Sequence, residues 1–131
     1  MLRPSQLYPV LDWFIPEPMR LDEEQHFHAR IFLISHLFGP PIGLAIFAYL
    51  YLAAGAFSFA LGVLLSLVTA FFAYPFVLRF RCPFPILACI SLIQLTTIIL
   101  YAAYNYGGVY SPFLAWCLVV PLLALFYLGN R

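Results

Sequence analysis

The chain has 131 residues, of which 65% are hydrophobic and 8% are charged, and its formal net charge is +1 at pH 7. Soluble domains carry about 25% charged residues, so this composition excludes a soluble globular protein. A β-barrel is not expected either, because it needs alternating segments of about ten residues and none appear in the sequence. Helices are the remaining way to pair backbone groups inside lipid. We therefore predict an all-α integral membrane protein with no nucleic-acid partner.

The N-terminal segment differs from the rest, since the first thirty residues contain all five acidic residues and three of the six arginines. Prolines interrupt its short apolar run, which argues against a secretory signal peptide. We predict that residues 1–28 are cytoplasmic and include a short interfacial helix that opens near Asp22, where acidic residues complement the helix dipole. Trp13 and Phe14 are expected to dock residues 7–15 on the inner membrane surface.

Residues 29–131 form an apolar tract that is interrupted in its middle by Arg79 and Arg81. A helix needs about 20 apolar residues to cross the hydrocarbon core, and each half of the tract is roughly twice that length. Each half should therefore fold as a hairpin of two transmembrane helices. Glycine and proline mark the gaps between them. The four predicted spans are 29–52, 58–78, 85–104 and 112–128.

Arginine placement predicts the orientation, because short cytoplasmic loops retain positive charge. In a four-span arrangement the loop with Arg79 and Arg81 lies on the same side as both termini, and the other two loops carry no charge. Both termini are therefore predicted to be cytoplasmic. Tyrosines flank the two outer loops, as expected for rings that anchor at the interface. The predicted location is the bacterial inner membrane.

The first span contains an ionisable residue and a double proline. Pro40 and Pro41 remove two backbone donors, which predicts a kink or a local opening of the helix. His36 lies just before them, and an ionisable side chain at membrane depth is a candidate functional group. A neutral histidine hydrogen-bonded to a neighbouring helix is the more common alternative. No other span contains a histidine, so a haem would need its second axial ligand from a partner subunit.

Polar residues in the third span have two interpretations. Gln94 and Thr97 belong to an unusual polar group, for which hydrogen bonding between helices is the simpler role. The alternative is a small-molecule pocket between helices that is lined by His36, Gln94 and Thr97. The sequence requires no cofactor for either interpretation, and the ligand of such a pocket stays unknown.

The second span carries a face of small residues. Gly62, Ser66 and Ala70 recur at a spacing of four, which suits close helix packing. The partner is either another helix of the same chain or a different membrane helix, in a homo-oligomer or a larger complex.

Motifs for catalysis are missing from the sequence. It has no glycine-rich phosphate loop, no nucleophile motif and no acidic metal cluster. Its three cysteines form no metal-binding pair. We therefore predict that the chain is not an enzyme and holds no metal.

The last hairpin contains a motif of the form GG-x-x-SP-x-x-x-W-x-x-x-x-P within residues 104–131. With the start of the first span and the basic segment after the second, it resembles the six-helix membrane sensor region of bacterial histidine kinases and class III nucleotide cyclases. That resemblance implies a module that senses a ligand or a membrane state and relays it to a cytoplasmic catalytic domain. Four predicted spans and no such domain before Arg131 suggest a truncated sensor region, and kinase activity is not carried over. The motif residues are Gly107, Gly108, Ser111, Pro112, Trp116 and Pro121.

Two functions from different classes follow. In the first, the chain is a sensor-type module that binds a small apolar or amphipathic signal among its helices, with the turn at 107–112 capping the outer mouth. In the second, it is an accessory subunit of a respiratory or photosynthetic complex and packs against other subunits, lipid, quinone or pigment. A transporter is a weaker third hypothesis, because no acidic residue lies at membrane depth to couple ions.

Overall fold

The computed structural model describes residues 11–80 and 83–129. Within these ranges the chain is helical and contains no β-strand. Arg81, which the topology prediction used, and residues 7–10 of the predicted docking segment lie outside the described residues.

Three helical segments are long and apolar enough to cross a membrane, and a fourth apolar segment is shorter. The prediction of an all-helical, membrane-compatible protein is thus confirmed. The long segments are Glu23–Ala54, Phe59–Arg79 and Phe84–Asn105, and the shorter one is Pro112–Leu128.

A short helix, α1 (Glu17–Arg20), precedes the longest one, α2 (Glu23–Ala54). The Asp22 side chain accepts hydrogen bonds from two N–H groups of the first turn of α2, and Gly55 ends the helix with a φ of 69°. The helix expected near Asp22 and the span expected from residue 29 are therefore one helix of 32 residues, about 48 Å long. The helix is therefore longer than a hydrocarbon core, which is about 30 Å thick.

The second apolar segment changes its winding along its length. Helix α3 (Phe59–Thr69) starts at Ser58, whose hydroxyl caps the first turn, and a 3-10 turn (Ala70–Ala73) joins it to α4 (Tyr74–Arg79). Pro75 explains the change, because it has no N–H for the carbonyl one turn earlier and its ring would clash with that carbonyl in a regular α-helix.

The third and fourth segments are joined by a tight turn. Helix α5 (Phe84–Asn105) is followed by Gly107, whose φ is 108°. A 3-10 helix of 7 residues (Pro112–Leu118) then continues into α6 (Val119–Leu128), which has 10 residues. Because a 3-10 helix rises about 2.0 Å per residue and an α-helix about 1.5 Å, this fourth segment is about 29 Å long.

Two hydrophobic clusters hold the helices together. The basal cluster is centred on Phe32, Leu33 and Leu78, which have no exposed surface, and lies at the end of the bundle where Arg79 is found. The distal cluster, at the opposite end, consists of four buried residues of α2, α3 and α5. Its members are Leu50, Leu61, Leu64 and Ala102.

Helix α2 remains continuous through Pro40 and Pro41, so the local opening expected there is not present. One turn later, Gly43 allows a close approach to α3, since a Cβ at this position would lie 2.8 Å from Cγ1 of Val68. Contact with α3 therefore holds α2 immediately after the prolines.

The N-terminal segment, residues 11–20, packs on the base of the bundle. Leu11 and Ile15 are buried in the basal cluster, with 4% and 1% of their surface exposed. Phe14 contacts Phe76 of α4 edge to face, with 5.6 Å between the ring centroids. Trp13 is about half exposed. The segment is thus held by residues that the sequence did not single out, in addition to Trp13 and Phe14.

Polar contacts fix the same segment. The Asp12 carboxylate accepts two hydrogen bonds from Arg30, at 3.0 and 2.8 Å, and its Oδ1 lies 3.0 Å from Nε2 of His26. Arg79 donates to the Trp13 carbonyl at 2.8 Å, and its guanidinium lies 3.4 Å from the centre of the indole ring. A bidentate pair and a cation–π contact therefore tie residues 12 and 13 to two different helices.

The Asp12 contacts predict that docking of the N-terminal segment is sensitive to acid. The Arg30 guanidinium holds the pKa of the Asp12 carboxyl below its ordinary value of 3.8. A carboxyl whose pKa is lowered by folding stabilises the docked state above its unfolded pKa, and this stabilisation is lost as the pH falls through the folded pKa. We expect the emission of Trp13 to report release of the segment below pH 3.8, measured in a Trp116→Phe background.

Asp12→Asn is the matched variant for this titration. It removes the charge that pairs with Arg30, so its emission at neutral pH should resemble that of the acid-treated parent chain. An emission of the parent chain that does not change between neutral and acid pH would contradict the prediction.

Candidate functional site

His36 of α2 lies inside the bundle, with 2% of its surface exposed. Its Nδ1 is 2.7 Å from the carbonyl oxygen of Phe32, one turn earlier, and its Nε2 is 2.7 Å from the hydroxyl oxygen of Ser91 on α5. A carbonyl oxygen only accepts, so in the neutral ring Nδ1 carries the proton and Nε2 accepts from Ser91. His36 therefore joins α2 to α5 with both ring nitrogens paired.

A pair of hydroxyl groups next to His36 adds a contact between α2 and α6. Ser35 donates to the Phe32 carbonyl at 2.8 Å, and its oxygen is hydrogen-bonded to the hydroxyl of Tyr127, which is also buried. Because the Ser35 proton is directed at the carbonyl, Tyr127 is the donor in this bond. We call Ser35, His36, Ser91 and Tyr127 the polar centre. It links α2, α5 and α6.

Aromatic rings enclose the imidazole. The Phe32 ring stacks on it, with 3.9 Å between centroids and 29° between planes. The rings of Phe71, Tyr74 and Tyr127 follow at 5.3, 5.0 and 6.1 Å. These rings surround the imidazole, and each of its two ring nitrogens has a protein partner.

A cavity of about 370 Å³ lies beside the polar centre, between the basal and distal clusters. Its walls come from α2, α3, α5 and the fourth segment, and they are apolar apart from the polar centre. Ser35 and Tyr127 close it towards the base, and Phe113 lies at its distal end. The arrangement is an apolar chamber with one polar end.

The mouth of the cavity lies between α2 and the 3-10 helix of the fourth segment. Phe38, Ile42 and Trp116 line the cavity and are 56%, 53% and 43% exposed. Leu64 and Ile99 on the opposite wall are buried. The cavity therefore opens on the side of the bundle and not at one of its ends.

Gln94 and Thr97 do not belong to the lining of this cavity. Gln94 accepts a hydrogen bond from the Tyr74 hydroxyl at 2.6 Å and donates to the Leu67 carbonyl at 2.8 Å. Both contacts join α5 to the second segment near its change of winding. Thr97 is exposed and donates to a carbonyl of its own helix. Of the three residues that the sequence grouped in one pocket, the structure brings only His36 to the cavity.

The glycines and Ser111 of the GG-x-x-SP motif build the turn after α5. Gly107 and Gly108 have φ values of 108° and 55°, and a Cβ on Gly107 would lie 3.2 Å from Cα of Ser111. The buried Ser111 side chain accepts from the Phe113 N–H and so caps the 3-10 helix, with Pro112 at its first position. These four motif residues shape the turn and do not line the cavity.

The remaining motif residues lie further along the fourth segment. Trp116 is at the mouth of the cavity, whereas Pro121 is exposed in the first turn of α6. The motif thus contributes one side chain to the site, and positions it through the turn.

Sequence reasoning did not identify the role of Tyr127. A tyrosine near the end of a span has the usual pattern of an interfacial anchor, and only its burial against α2 shows that its hydroxyl belongs to an internal network.

Within the described residues, no group of three or more histidine, cysteine or acidic residues is placed to hold a metal ion.

Comparison with known proteins adds no further constraint, since no family model, curated protein or solved structure matches this chain.

Proposed function

We propose that this chain is a non-catalytic, sensor-type membrane module that binds a small apolar molecule from the lipid bilayer. The cavity beside the polar centre carries the proposal. Small-molecule sites have volumes of about 300–1,000 Å³ and combine apolar walls with few polar groups. The cavity, at about 370 Å³, has this size and composition, and its mouth lies on the side of the bundle. The resemblance to the membrane regions of histidine kinases and class III nucleotide cyclases agrees with a sensing role.

We further propose four spans, with both termini in the cytoplasm of a bacterium. The length of the fourth segment, about 29 Å, supports a full crossing of a hydrocarbon core of about 30 Å. Arg20, Arg30 and Arg79 all lie near the base of the bundle, where the N-terminal segment docks. Short loops on the cytoplasmic side retain positive charge, which favours a cytoplasmic base.

Two single-cysteine variants test the crossing and the orientation of the third segment, which this arrangement requires. Phe80 and Val109 are 82% and 81% exposed and lie at opposite ends of the bundle. In a background without the native cysteines, a membrane-impermeant maleimide should label Phe80→Cys only from the cytoplasmic side and Val109→Cys only from the outside. Labelling of both from one side would contradict four spans.

The polar end of the cavity is in contact with residues of the basal cluster. Phe32 lies in the basal cluster, and its carbonyl accepts from both His36 and Ser35 at the end of the cavity. Tyr127 belongs to the same cluster. A ligand that displaces Tyr127 or His36 therefore shifts residues against which the N-terminal segment packs.

Photo-crosslinking tests occupancy of the cavity. Gly39 lines the cavity and has no atom within 4 Å of where its Cβ would be, so Gly39→Leu has room for its Cβ and is expected to occupy part of the cavity. A hexylbenzene that carries a diazirine should label residues of α2 and the fourth segment in the parent chain, and labelling should fall severalfold in Gly39→Leu. Ala48→Leu adds the same side chain at an exposed position of α2 outside the cavity and should change nothing. Equal labelling in all three chains would overturn the proposal.

An accessory subunit of a larger membrane complex is the second candidate. Its support is the small-residue face of the second segment, where Ser66 and Ala70 are exposed and a shallow groove runs between Gly62 and the rings of Phe57 and Phe59. Such faces allow helices to approach closely in lipid. Purification from native membranes in mild detergent distinguishes the candidates, because a subunit migrates with stoichiometric partners and a stand-alone sensor does not.

A further inference from the structure

We propose that the cavity selects an apolar molecule with a hydroxyl group, a phenol or an alcohol, and that this hydroxyl group donates a hydrogen bond to the backbone carbonyl of His36. This inference rests on the proposed function, since it specifies the ligand of the same cavity. It follows from the direction of the hydrogen bonds in the polar centre and from the position of Pro40.

The side chains of the polar centre have no proton left to offer. Nδ1–H of His36 and the hydroxyl of Ser35 are directed at the Phe32 carbonyl, the Ser91 hydroxyl at Nε2, and the Tyr127 hydroxyl at Ser35. What remains on these groups are lone pairs of the hydroxyl oxygens, which only accept. A ligand that itself only accepts, such as an ether or a ketone, finds no donor among them.

Pro40 adds an acceptor that lacks its usual donor. In an α-helix the N–H of residue i bonds the carbonyl of residue i−4, so Pro40 deprives the His36 carbonyl of this partner. His36, Gly39 and Pro40 all line the cavity. Inside a bilayer no water is present to pair a free carbonyl, and leaving it unpaired costs several kcal/mol. A hydroxyl group in the cavity supplies the missing donor.

The rest of the lining favours a ring or a hydrocarbon chain. Apart from the polar centre the walls are apolar, and Phe71, Phe113 and Trp116 present aromatic rings to the cavity. Aromatic pairs in offset or edge-to-face contact are stabilising beyond the area that they bury. An alkyl-substituted phenol therefore fits the cavity, because its hydroxyl group can bond at the polar end while its ring and chain contact the apolar walls.

A matched pair of probes tests the inference on the purified full-length chain in detergent micelles. 4-Hexylphenol and 4-hexylanisole share ring and chain, but the methyl ether has no proton to donate. At equal mole fractions in the micelle, we expect the phenol to raise Tm and to change the emission of Trp116, with the anisole binding about 3- to 10-fold more weakly. Trp116→Phe identifies the emission that arises at the mouth of the cavity.

Two proline variants assign the acceptor. Pro40→Ala restores an N–H for the His36 carbonyl and should bring the affinity ratio of the two probes close to one. Pro41→Ala restores the N–H opposite Leu37, outside the cavity lining, and should leave the ratio unchanged. Equal affinity of the probes for the parent chain, or a ratio that Pro40→Ala does not change, overturns the inference while binding to the cavity stands. Binding of neither probe, in parallel with no crosslinking, overturns the proposed function as well.

Discussion

Phe32→Ala should destabilise the folded bundle by about 2–3 kcal/mol, which is the largest effect that we expect from a single truncation. Phe32 has no exposed surface, and its ring packs at 3.9 Å on His36, at 5.5 Å on Phe84 and at 5.1 Å on Tyr127, measured between ring centroids. These three residues belong to α2, α5 and α6. The truncation therefore removes contacts on several helices at once.

The physical reason differs from that in a soluble protein. There, a Phe→Ala change in the core costs about 3–5 kcal/mol, which includes the transfer of the ring out of water. Inserted helices that have separated still lie in hydrocarbon, so the transfer contribution largely disappears and the loss of van der Waals packing remains. The expected loss at Phe32 is therefore smaller than in a soluble core.

Reversible unfolding in mixed micelles with an increasing fraction of sodium dodecyl sulfate measures this free energy. Phe59→Ala is the matched control, because Phe59 is 87% exposed at the start of α3. The control should change the free energy of unfolding by less than about 0.5 kcal/mol. Equal effects of the two truncations would mean that the aromatic cluster does not hold the helices together.

Ser91→Ala should destabilise the bundle by about 1–3 kcal/mol, because it leaves Nε2 of the buried His36 without a partner. Replacing both partners of a buried hydrogen bond with apolar side chains lowers the free energy of unfolding less than leaving one partner unpaired. In His36→Leu/Ser91→Ala no polar group is left unpaired, so the double variant should be more stable than the sum of the two single changes predicts. The same unfolding titration, applied to all four chains of the cycle, gives the coupling energy.

Thr97→Ala is the control for the loss of a hydroxyl group from α5. Thr97 is exposed and its hydroxyl bonds a carbonyl of its own helix, so its removal breaks no contact between helices. We expect a change below about 0.5 kcal/mol. Additive effects of His36→Leu and Ser91→Ala would show that the two side chains are not coupled.

Helix positions were largely predictable from the sequence, for reasons that are local in the chain. The capping of α2 by Asp22, its end at Gly55 and the turn at Gly107 depend on neighbouring residues only. The division of the second segment into α3, a 3-10 turn and α4 was not predicted, although Pro75 was a visible cause. The sequence predicts a short helix near Asp22 and a separate span from residue 29, because the prediction equates the start of a span with the membrane boundary. The structure joins both in α2.

The pocket was less predictable, as Gln94 and Thr97 show. Both are polar and both lie on α5, yet Gln94 bonds the second segment and Thr97 faces outward. In a soluble protein an apolar stripe marks the buried face of a helix, which would have separated them. In lipid the exposed face is as apolar as the buried one, so this signal is lost.

The sequence by itself therefore determined what depends on length, charge and local backbone chemistry: an all-helical membrane protein, its long apolar segments and its turns. Only the tertiary structure decided which side chains meet. Ser91 lies 55 residues from His36, and Tyr127 lies 92 residues from Ser35, yet they share one polar centre. Such contacts depend on how the helices rotate and pack against each other, and in a chain that is apolar on every face no local pattern specifies that rotation.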